Sequence, residues 1–481
     1  MTTVLDDLPL VLDRTRAEPL SVQVADGLRA AAGSGVLRVD DRLPSSRALA
    51  RRLGVSRTVV AAAYDQLHAE GWITGRHGSG TYLTTAPAPP PAPPGRGPEP
   101  EIAADLLDLF PGAPCVEAID RAAWRRAWRA AADIAPPTRK DRGGEVDFRA
   151  AVSEHLLRHR GLGAGADTVV LATAGTSSAV GELAAALLRP GDTVALENPG
   201  YPRAAGALEA AGATVLPIPV DAHGLRVDLL PDGLSAVYCT PAHQFPLGAR
   251  MPAARRVELV EFARRTGVLV IEDDYDGELR YDTAPLPLLA AMAPDVVVHL
   301  GTTSKILSPA LGVGWLVAAP RVAEAVLEHR SRTGTGPSPA GQRVLIEFAR
   351  TGDLSRHLRR LRRLLPPRRE LLVSALRAHG LDFLGDDAGS HLVVPLPSRE
   401  AEGRVVAAAR SAGLAMDGLT RHHLPGHPPH IFGITLGYSA TDLADLRRAV
   451  PDVVACLAAE DHPAAITPAA GVHAATDSAR S

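Results

Sequence analysis

Lysine occupies only two positions in this chain, Lys140 and Lys305, although lysine and arginine together number 51. An amine can lose its proton and attack a carbonyl, which a guanidinium cannot. A lysine kept in so arginine-rich a chain is therefore a candidate for chemistry. Lys305 closes the run Gly301-Thr302-Thr303-Ser304-Lys305, directly after the strand-like residues 296–300. At the end of a core strand, among hydroxyls, it can be desolvated, have its pKa lowered and form a Schiff base. Lys140 lies in the polar stretch Pro136-Pro137-Thr138-Arg139-Lys140-Asp141-Arg142 and reads as surface.

Three further polar clusters follow apolar runs. Residues 169–171 lead into Ala174-Gly175-Thr176-Ser177-Ser178, a glycine-hydroxyl turn opening a helical run. Such a turn is either a plain helix cap or a phosphate site, built from backbone N–H groups and the helix dipole. Residues 193–197 lead into Asn198-Pro199-Gly200-Tyr201, where a turn projects one aromatic. Residues 268–272 end in Glu272-Asp273-Asp274-Tyr275-Asp276. An acid run that closes a buried strand is costly unless a cation, a metal or a ligand nitrogen faces it.

The elements that position these groups alternate strand-like runs with longer helical stretches, the pattern of an α/β fold with a mostly parallel sheet. Strands are expected at 169–171, 193–197, 236–239, 268–272, 296–300 and 314–317. In such sheets functional groups gather at the carboxyl ends of the strands. The chain has 481 residues, formal net charge −3 and 46% hydrophobic content, enough for about three folding units with sizeable cores. Its three cysteines, Cys115, Cys239 and Cys456, are odd in number and far apart, so neither a disulfide framework nor a metal site is expected. No signal sequence or membrane span is legible, and a cytoplasmic protein is expected.

Residues 86–100, APAPPPAPPGRGPEP, read as a stiff proline-rich linker. They divide a module at 1–85 from one at 101–460, with 461–481 expected to be a disordered tail. In the first module a helix is expected from residue 20 to 32. Ser45 or Ser46 then caps a short helix, Gly54-Val55-Ser56 makes a tight turn, and a second helix buries Val60, Tyr64 and Leu67. Two strand-like triplets around the loop 75–80 complete a winged helix-turn-helix.

Between Arg42 and Tyr64 lie five arginines and no acid. Arg57 and Thr58 open the second helix, the part of this motif that reaches base edges. Phosphates are expected at Arg42, Arg47, Arg51 and Arg52, at the helix N-termini near Ser45 and Ser56, and at Arg76, His77 and Gly78 of the wing. This segment resembles the GntR family of bacterial DNA-binding domains.

The second module resembles the class I aminotransferases, fold-type-I pyridoxal-phosphate proteins. That resemblance implies the cofactor pyridoxal 5'-phosphate on Lys305. It also implies an acid at the ring nitrogen (Asp273), a phenol at the ring oxygen (Tyr275) and a stacking ring (Tyr201). A phosphate cradle is implied at Gly175, Thr176, Ser177, Thr302 and Ser304. The loop Thr240-Pro241-Ala242-His243-Gln244-Phe245-Pro246-Leu247-Gly248 resembles the family's loop facing the cofactor and adds His243. The whole order, from winged helix through linker to aminotransferase-like domain, resembles the MocR subfamily of GntR regulators. It implies a homodimer, a double-stranded DNA operator, and a small amino compound or pyridoxal phosphate as effector.

Two positions depart from the family pattern. Gly312 stands where an arginine usually neutralises the cofactor phosphate, and Thr435 stands where an arginine usually holds a substrate carboxylate. The first predicts weaker cofactor retention, and the second adds to a prediction of reduced transamination. An aminotransferase with an accessory DNA module, and a regulator whose cofactor site has decayed, are the alternatives to a pyridoxal-phosphate regulator.

Overall fold

The computed structural model describes residues 8, 10–33, 36–76, 80–85, 103, 105–163, 167–281 and 285–460. The chain forms two compact units divided after residue 101. The linker at 86–100, the tail at 461–481, His77 and Gly78 lie outside the described residues.

In the first unit, α1 (Leu20–Gly33), α2 (Ser46–Leu53) and α3 (Arg57–Ala69) precede a hairpin of β1 (Ile73–Arg76) and β2 (Gly80–Leu83). Of the two candidate caps, Ser45 is the one used, its hydroxyl accepting from Ala48 N. Gly54 ends α2 in the left-handed conformation, φ 61°, which only glycine adopts without cost. Ser56 then caps α3 by accepting from Val59 N. Val60, Ala63, Tyr64 and Leu67 face a core shared with α1 and both strands, and the Tyr64 hydroxyl donates to Pro44 O at 2.7 Å.

The second unit begins with β3 (Leu107–Asp108), α4 (Arg121–Asp133) and α5 (Val146–Arg160). There follow β4 (Val169–Thr173), α6 (Thr176–Leu187), β5 (Thr193–Asn198), α7 (Pro202–Ala210), β6 (Thr214–Asp221), β7 (Gly224–Leu225), β8 (Ala236–Cys239), α8 (Ala253–Thr266), β9 (Leu269–Asp273), α9 (Leu289–Met292), β10 (Val297–Thr302) and β11 (Gly314–Ala318). These strands form one sheet in the order β4-β11-β10-β9-β8-β5-β6-β7. The pairs from β10 through β6 are parallel, while β11 runs antiparallel to both β10 and β4. All six expected strands lie in this sheet.

Alternate residues supply two separate cores. Val170, Val270 and Val297 point to one face, and Leu171, Ile271 and Val298 to the other. Period-two alternation with both faces apolar is what a sheet covered by helices on both sides requires. The polar residues are thereby pushed to the strand ends.

A smaller lobe follows α10 (Pro320–Thr333), α11 (Pro339–Arg350) and α12 (Asp353–Ala378). It holds β12 (His391–Leu396), α13 (Arg399–Ser411), β13 (Leu414–Ala415), β14 (Asp417–Gly418), β15 (Phe432–Gly437) and α14 (Leu443–Ala458). Its sheet order is β12-β15-β14, and β3 pairs with β13. Gly437 N donates to Leu109 O at 2.7 Å, so the segment after β3 is bound to the end of β15.

Candidate functional site

Strands β4, β5, β8, β9 and β10 run in one direction and deliver the polar clusters to a single edge of the sheet. Asp273 is the last residue of β9 and registers against Leu300 of β10, five positions before Lys305. Lys305 sits in the turn after β10, half-buried, and its Nζ donates to Gly112 O at 2.6 Å. A β-carbon on Gly112 would stand 2.8 Å from that nitrogen, at φ +85°. Glycine is needed there to let the backbone approach the amine.

Each member of the acid run has its own partner. The Glu272 carboxylate accepts from Leu289 N and Ala290 N at the start of α9. Asp273 accepts from the Tyr238 hydroxyl through Oδ2 at 2.6 Å. Asp274 faces Arg160, and Asp276 faces His243 at 2.9 Å. Cations, hydroxyls and backbone donors thus meet the requirement that the sequence set for buried carboxylates. One oxygen is left over. Asp273 Oδ1 is buried with no hydrogen-bond partner of good geometry among the described residues, and the nearby Thr176 hydroxyl only adds to the downward pull on the carboxyl. Burial raises the Asp273 carboxyl to about 7, against the opposing pull of the Tyr238 hydroxyl. Burial likewise raises Glu197 to about 7, although the Thr240 hydroxyl bonds to it.

The hydroxyl cradle forms as a cluster. Gly175 opens α6 at φ 122°, and its α-carbon packs so closely on Gly314 that a β-carbon there would lie 2.9 Å away. The Thr302 hydroxyl donates to Ser304 Oγ at 3.0 Å and accepts from Ser304 N at 3.1 Å. Ser177 Oγ lies 3.1 Å from the Tyr201 hydroxyl, joining the turn after β4 to the turn after β5. Gly312 has φ +56° and open space around its α-carbon.

Phe245 is the hub of the aromatic wall. Tyr201, Tyr275, His391 and His422 meet its ring edge-on, with centroids 5.1–5.8 Å apart. The Tyr275 hydroxyl lies 3.0 Å from His243 Nδ1, which Asp276 also engages. Burial lowers the His391 pKa well below the ordinary imidazole value, with the neighbouring His243 adding to it. Thr435, on β15, is fully buried and its hydroxyl has no hydrogen-bond partner among the described residues.

Lys140 is exposed and donates to Gly334 O, as a surface residue would. The sequence reading missed Tyr238, Glu197, His391 and Arg160. Tyr238 lies inside an apolar strand, His391 opens another and Arg160 ends an ordinary-looking helix, so local pattern carries no sign of their partners.

On the first unit, Arg42, Arg47, Arg51, Arg57 and Thr58 are exposed. Arg57 Nε reaches Ser46 Oγ at 3.4 Å, tying the start of α3 to the start of α2. Arg42 lies against Gly80 at the wing, where a β-carbon would come within 2.7 Å of its Nε. Arg52 is exposed as well. Its guanidinium donates to Leu8 O at 2.6 Å and fastens the N-terminal segment. Arg76 ends β1, registered against Gly80.

Residues 20–83 match the family "Bacterial regulatory proteins, gntR family" and residues 119–449 match "Aminotransferase class I and II". The chain is 33% identical over 475 residues to the HTH-type pyridoxine biosynthesis transcriptional regulator PdxR of Corynebacterium glutamicum, covering 94% of this chain and 98% of that protein. It is also 33% identical over 468 residues to the probable rhizopine catabolism regulatory protein MocR of Rhizobium meliloti, covering 92% and 94%. The chain belongs to the MocR subfamily of GntR transcriptional regulators.

As a MocR-type regulator it joins a GntR winged helix to a fold-type-I aminotransferase-like domain. That fold is shared with the kynurenine aminotransferase of Pyrococcus horikoshii, at TM-score 0.66 and 24% identity over 74% of this chain and 91% of that one. The aminotransferase class I family normally binds pyridoxal phosphate, and GntR-type regulators bind DNA operators. No helix among the described residues is long and apolar enough to cross a membrane.

Proposed function

We propose that this MocR-type regulator carries pyridoxal 5'-phosphate on Lys305, reads its operator through α3 and the wing, and acts as a homodimer. The single observation that carries the cofactor reading is Asp273. A buried acid with one oxygen satisfied by Tyr238 and the other without a partner suits a ring nitrogen that brings its own proton. When bound, the cofactor supplies an aldehyde that can be exchanged between the lysine and an incoming amine.

The chain's own groups divide the work of holding it. Lys305 provides the amine and Gly112 O steers it. Tyr201 and Phe245 exclude water from the ring, and Tyr238 keeps Asp273 in place. The hydroxyls of Thr176, Ser177, Thr302 and Ser304, with the N-terminus of α6, receive the phosphate. The residues fit the ring more fully than the phosphate. Gly312 leaves one charge fewer there than the family norm, so the cofactor is held less tightly. His243 holds the Tyr275 phenol, poised to tune the ring oxygen.

Arg57 and Thr58 contact base edges, while Arg42, Arg47 and Arg51 contact phosphates. An amine arriving at Lys305 changes operator affinity only by binding the two arrangements of the regulator unequally. Operator fragments selected from random DNA by the full chain, then titrated with and without pyridoxal phosphate and a panel of amines, test this reading. Sequence-selective binding that responds to the cofactor or an amine is expected. Binding indifferent to sequence and to every ligand would overturn it.

A further inference from the structure

The family pattern places an arginine at position 435 to hold a carboxylate, and this chain has Thr435 there, fully buried. A cation nevertheless stands at the same corner. Thr435 of β15 registers directly against Asp417 of β14. The Asp417 carboxylate, 2% exposed, is paired with Arg421 Nε at 2.7 Å and with His422 Nε2 at 2.9 Å. Arg421 follows Asp417 by one short turn, at residues 419–422, so the arginine is displaced from β15 onto the element that flanks it.

Four contacts place Arg421 with respect to Lys305. Its guanidinium carbon lies 5.6 Å from the centroid of the Phe110 ring. Phe110 comes two residues before Gly112, whose carbonyl receives the Lys305 amine. The backbone of Phe110 packs on Gly437, two residues beyond Thr435, so closely that a β-carbon would stand 2.0 Å from Phe110 O. On the other side, His422 meets Phe245 at 5.1 Å, in the aromatic wall. Arg421 and His422 together therefore join the segment that bonds Lys305 to the aromatic wall.

The donors of Arg421 are divided in a way that suits a ligand. Nε is spent on a buried acid, which fixes the plane of the guanidinium. The two Nη groups have no hydrogen-bond partner among the described residues, and the side chain is 36% exposed. A stacked, pre-oriented guanidinium with its outer donors available matches a carboxylate in fork geometry. The Phe110 face and the Asp417 contact at Nε together hold the guanidinium in one plane, with both Nη groups turned away from Asp417.

We propose that Arg421 is the carboxylate anchor of the effector site, replacing the arginine absent at 435, and that the effector is an amino acid rather than a simple amine. This rests on the proposed attachment of pyridoxal phosphate to Lys305. Asp417 acts as the positioning residue, and His422 fixes Asp417 from the buried side.

The test uses the full chain loaded with pyridoxal phosphate and follows the shift of the cofactor's absorption on adding ligand. The probes are L-alanine and the ω-amino acids from β-alanine to 6-aminohexanoate, each paired with the n-alkylamine formed by removing its carboxylate. At least one amino acid should half-saturate at a concentration about tenfold to a hundredfold below its amine, the yield of one charge-assisted contact. In Arg421→Gln that gap should close while the alkylamine response is retained, and Arg421→Lys should keep part of it. Absence of a gap for every pair in the wild type overturns the proposal without any variant. A gap that survives Arg421→Gln overturns it as well. A wild-type chain with no cofactor band before any ligand is added sinks the proposed attachment itself, an outcome distinct from both.

Discussion

Arg160 donates from Nη2 to Asp274 Oδ1 at 2.8 Å, with both side chains sealed from solvent. The arginine ends α5 and the acid directly follows Asp273, so a helix far away in sequence neutralises the acid run beside the candidate cofactor site. Removing one partner of a buried pair leaves the other charge uncompensated, at a cost of about 3–5 kcal/mol. Arg160→Met should lower stability by that amount in urea unfolding and should weaken pyridoxal-phosphate uptake. Adding Asp274→Asn should restore part of the stability, since one orphaned charge is then gone while Glu278, 3.5 Å from Arg160 Nη1, keeps His155. A single variant within about 0.5 kcal/mol of the wild type would contradict the pairing.

Asp273 and Glu197 both titrate at about 7 because burial disfavours their charged forms. In the unfolded chain they titrate at roughly 4. Between those values the folded chain holds more protons, so the unfolding free energy falls as pH rises through the window. Their contribution is complete below about pH 4 and lost above about pH 7. The melting temperature of the cofactor-free protein should fall between about pH 5 and about pH 8, and Asp273→Asn with Glu197→Gln should flatten that fall. A double-variant profile parallel to the wild type would refute the assignment.

Asp273→Ala should also weaken the cofactor by one to two decades, the worth of a hydrogen bond to a charged group of about 1.5–3 kcal/mol. Equilibrium titration with pyridoxal phosphate measures it. An unchanged titration would remove Asp273 from the site.

Much of this was readable from residues alone, and what was not has a physical reason. Lys305, Asp273 and the glycine-hydroxyl turns sit at strand ends, where period-two apolar runs stop, and local pattern marks those places. The helix caps Ser45 and Ser56 and the left-handed Gly54 were legible because capping chemistry is local. Arg160 and Tyr238 act across 35 residues or more of chain, and no local pattern encodes that distance. Arg52 shows the same. It belongs to a basic run that reads as a phosphate surface, and the bond from one of its guanidinium nitrogens to Leu8 O carries no local signal.

Gly312→Arg should tighten the cofactor. Nothing lies within 4 Å of a β-carbon at that position, although φ is +56°. A non-glycine residue there costs about 1–2 kcal/mol, against about 1.5–3 kcal/mol from a new charge-assisted contact. That strain is carried with and without the cofactor, so it lowers the melting temperature, while pyridoxal-phosphate affinity is expected to rise about tenfold to a hundredfold. Weaker binding in the variant would place the phosphate elsewhere.

Arg57→Ala should cost about 1–3 kcal/mol in operator binding and relax sequence preference, because this side chain opens α3. Arg47→Ala should weaken binding to all sequences alike and reduce the salt slope by about one. Fluorescence anisotropy across a salt series distinguishes the two. Equal effects of both variants on matched and mismatched DNA would contradict the docking.

The central claim is that Lys305 is the attachment point of pyridoxal phosphate in this regulator. It is tested most directly by adding the cofactor at saturation, reducing with borohydride and mapping the added mass by peptide mass spectrometry. A visible absorption band, lost readily on dialysis before reduction and fixed on the peptide carrying Lys305 after it, is the predicted result. Lys305→Ala should show neither the band nor the mass. No band in the wild type at saturating cofactor, or a label found on Lys140 instead, would contradict the account.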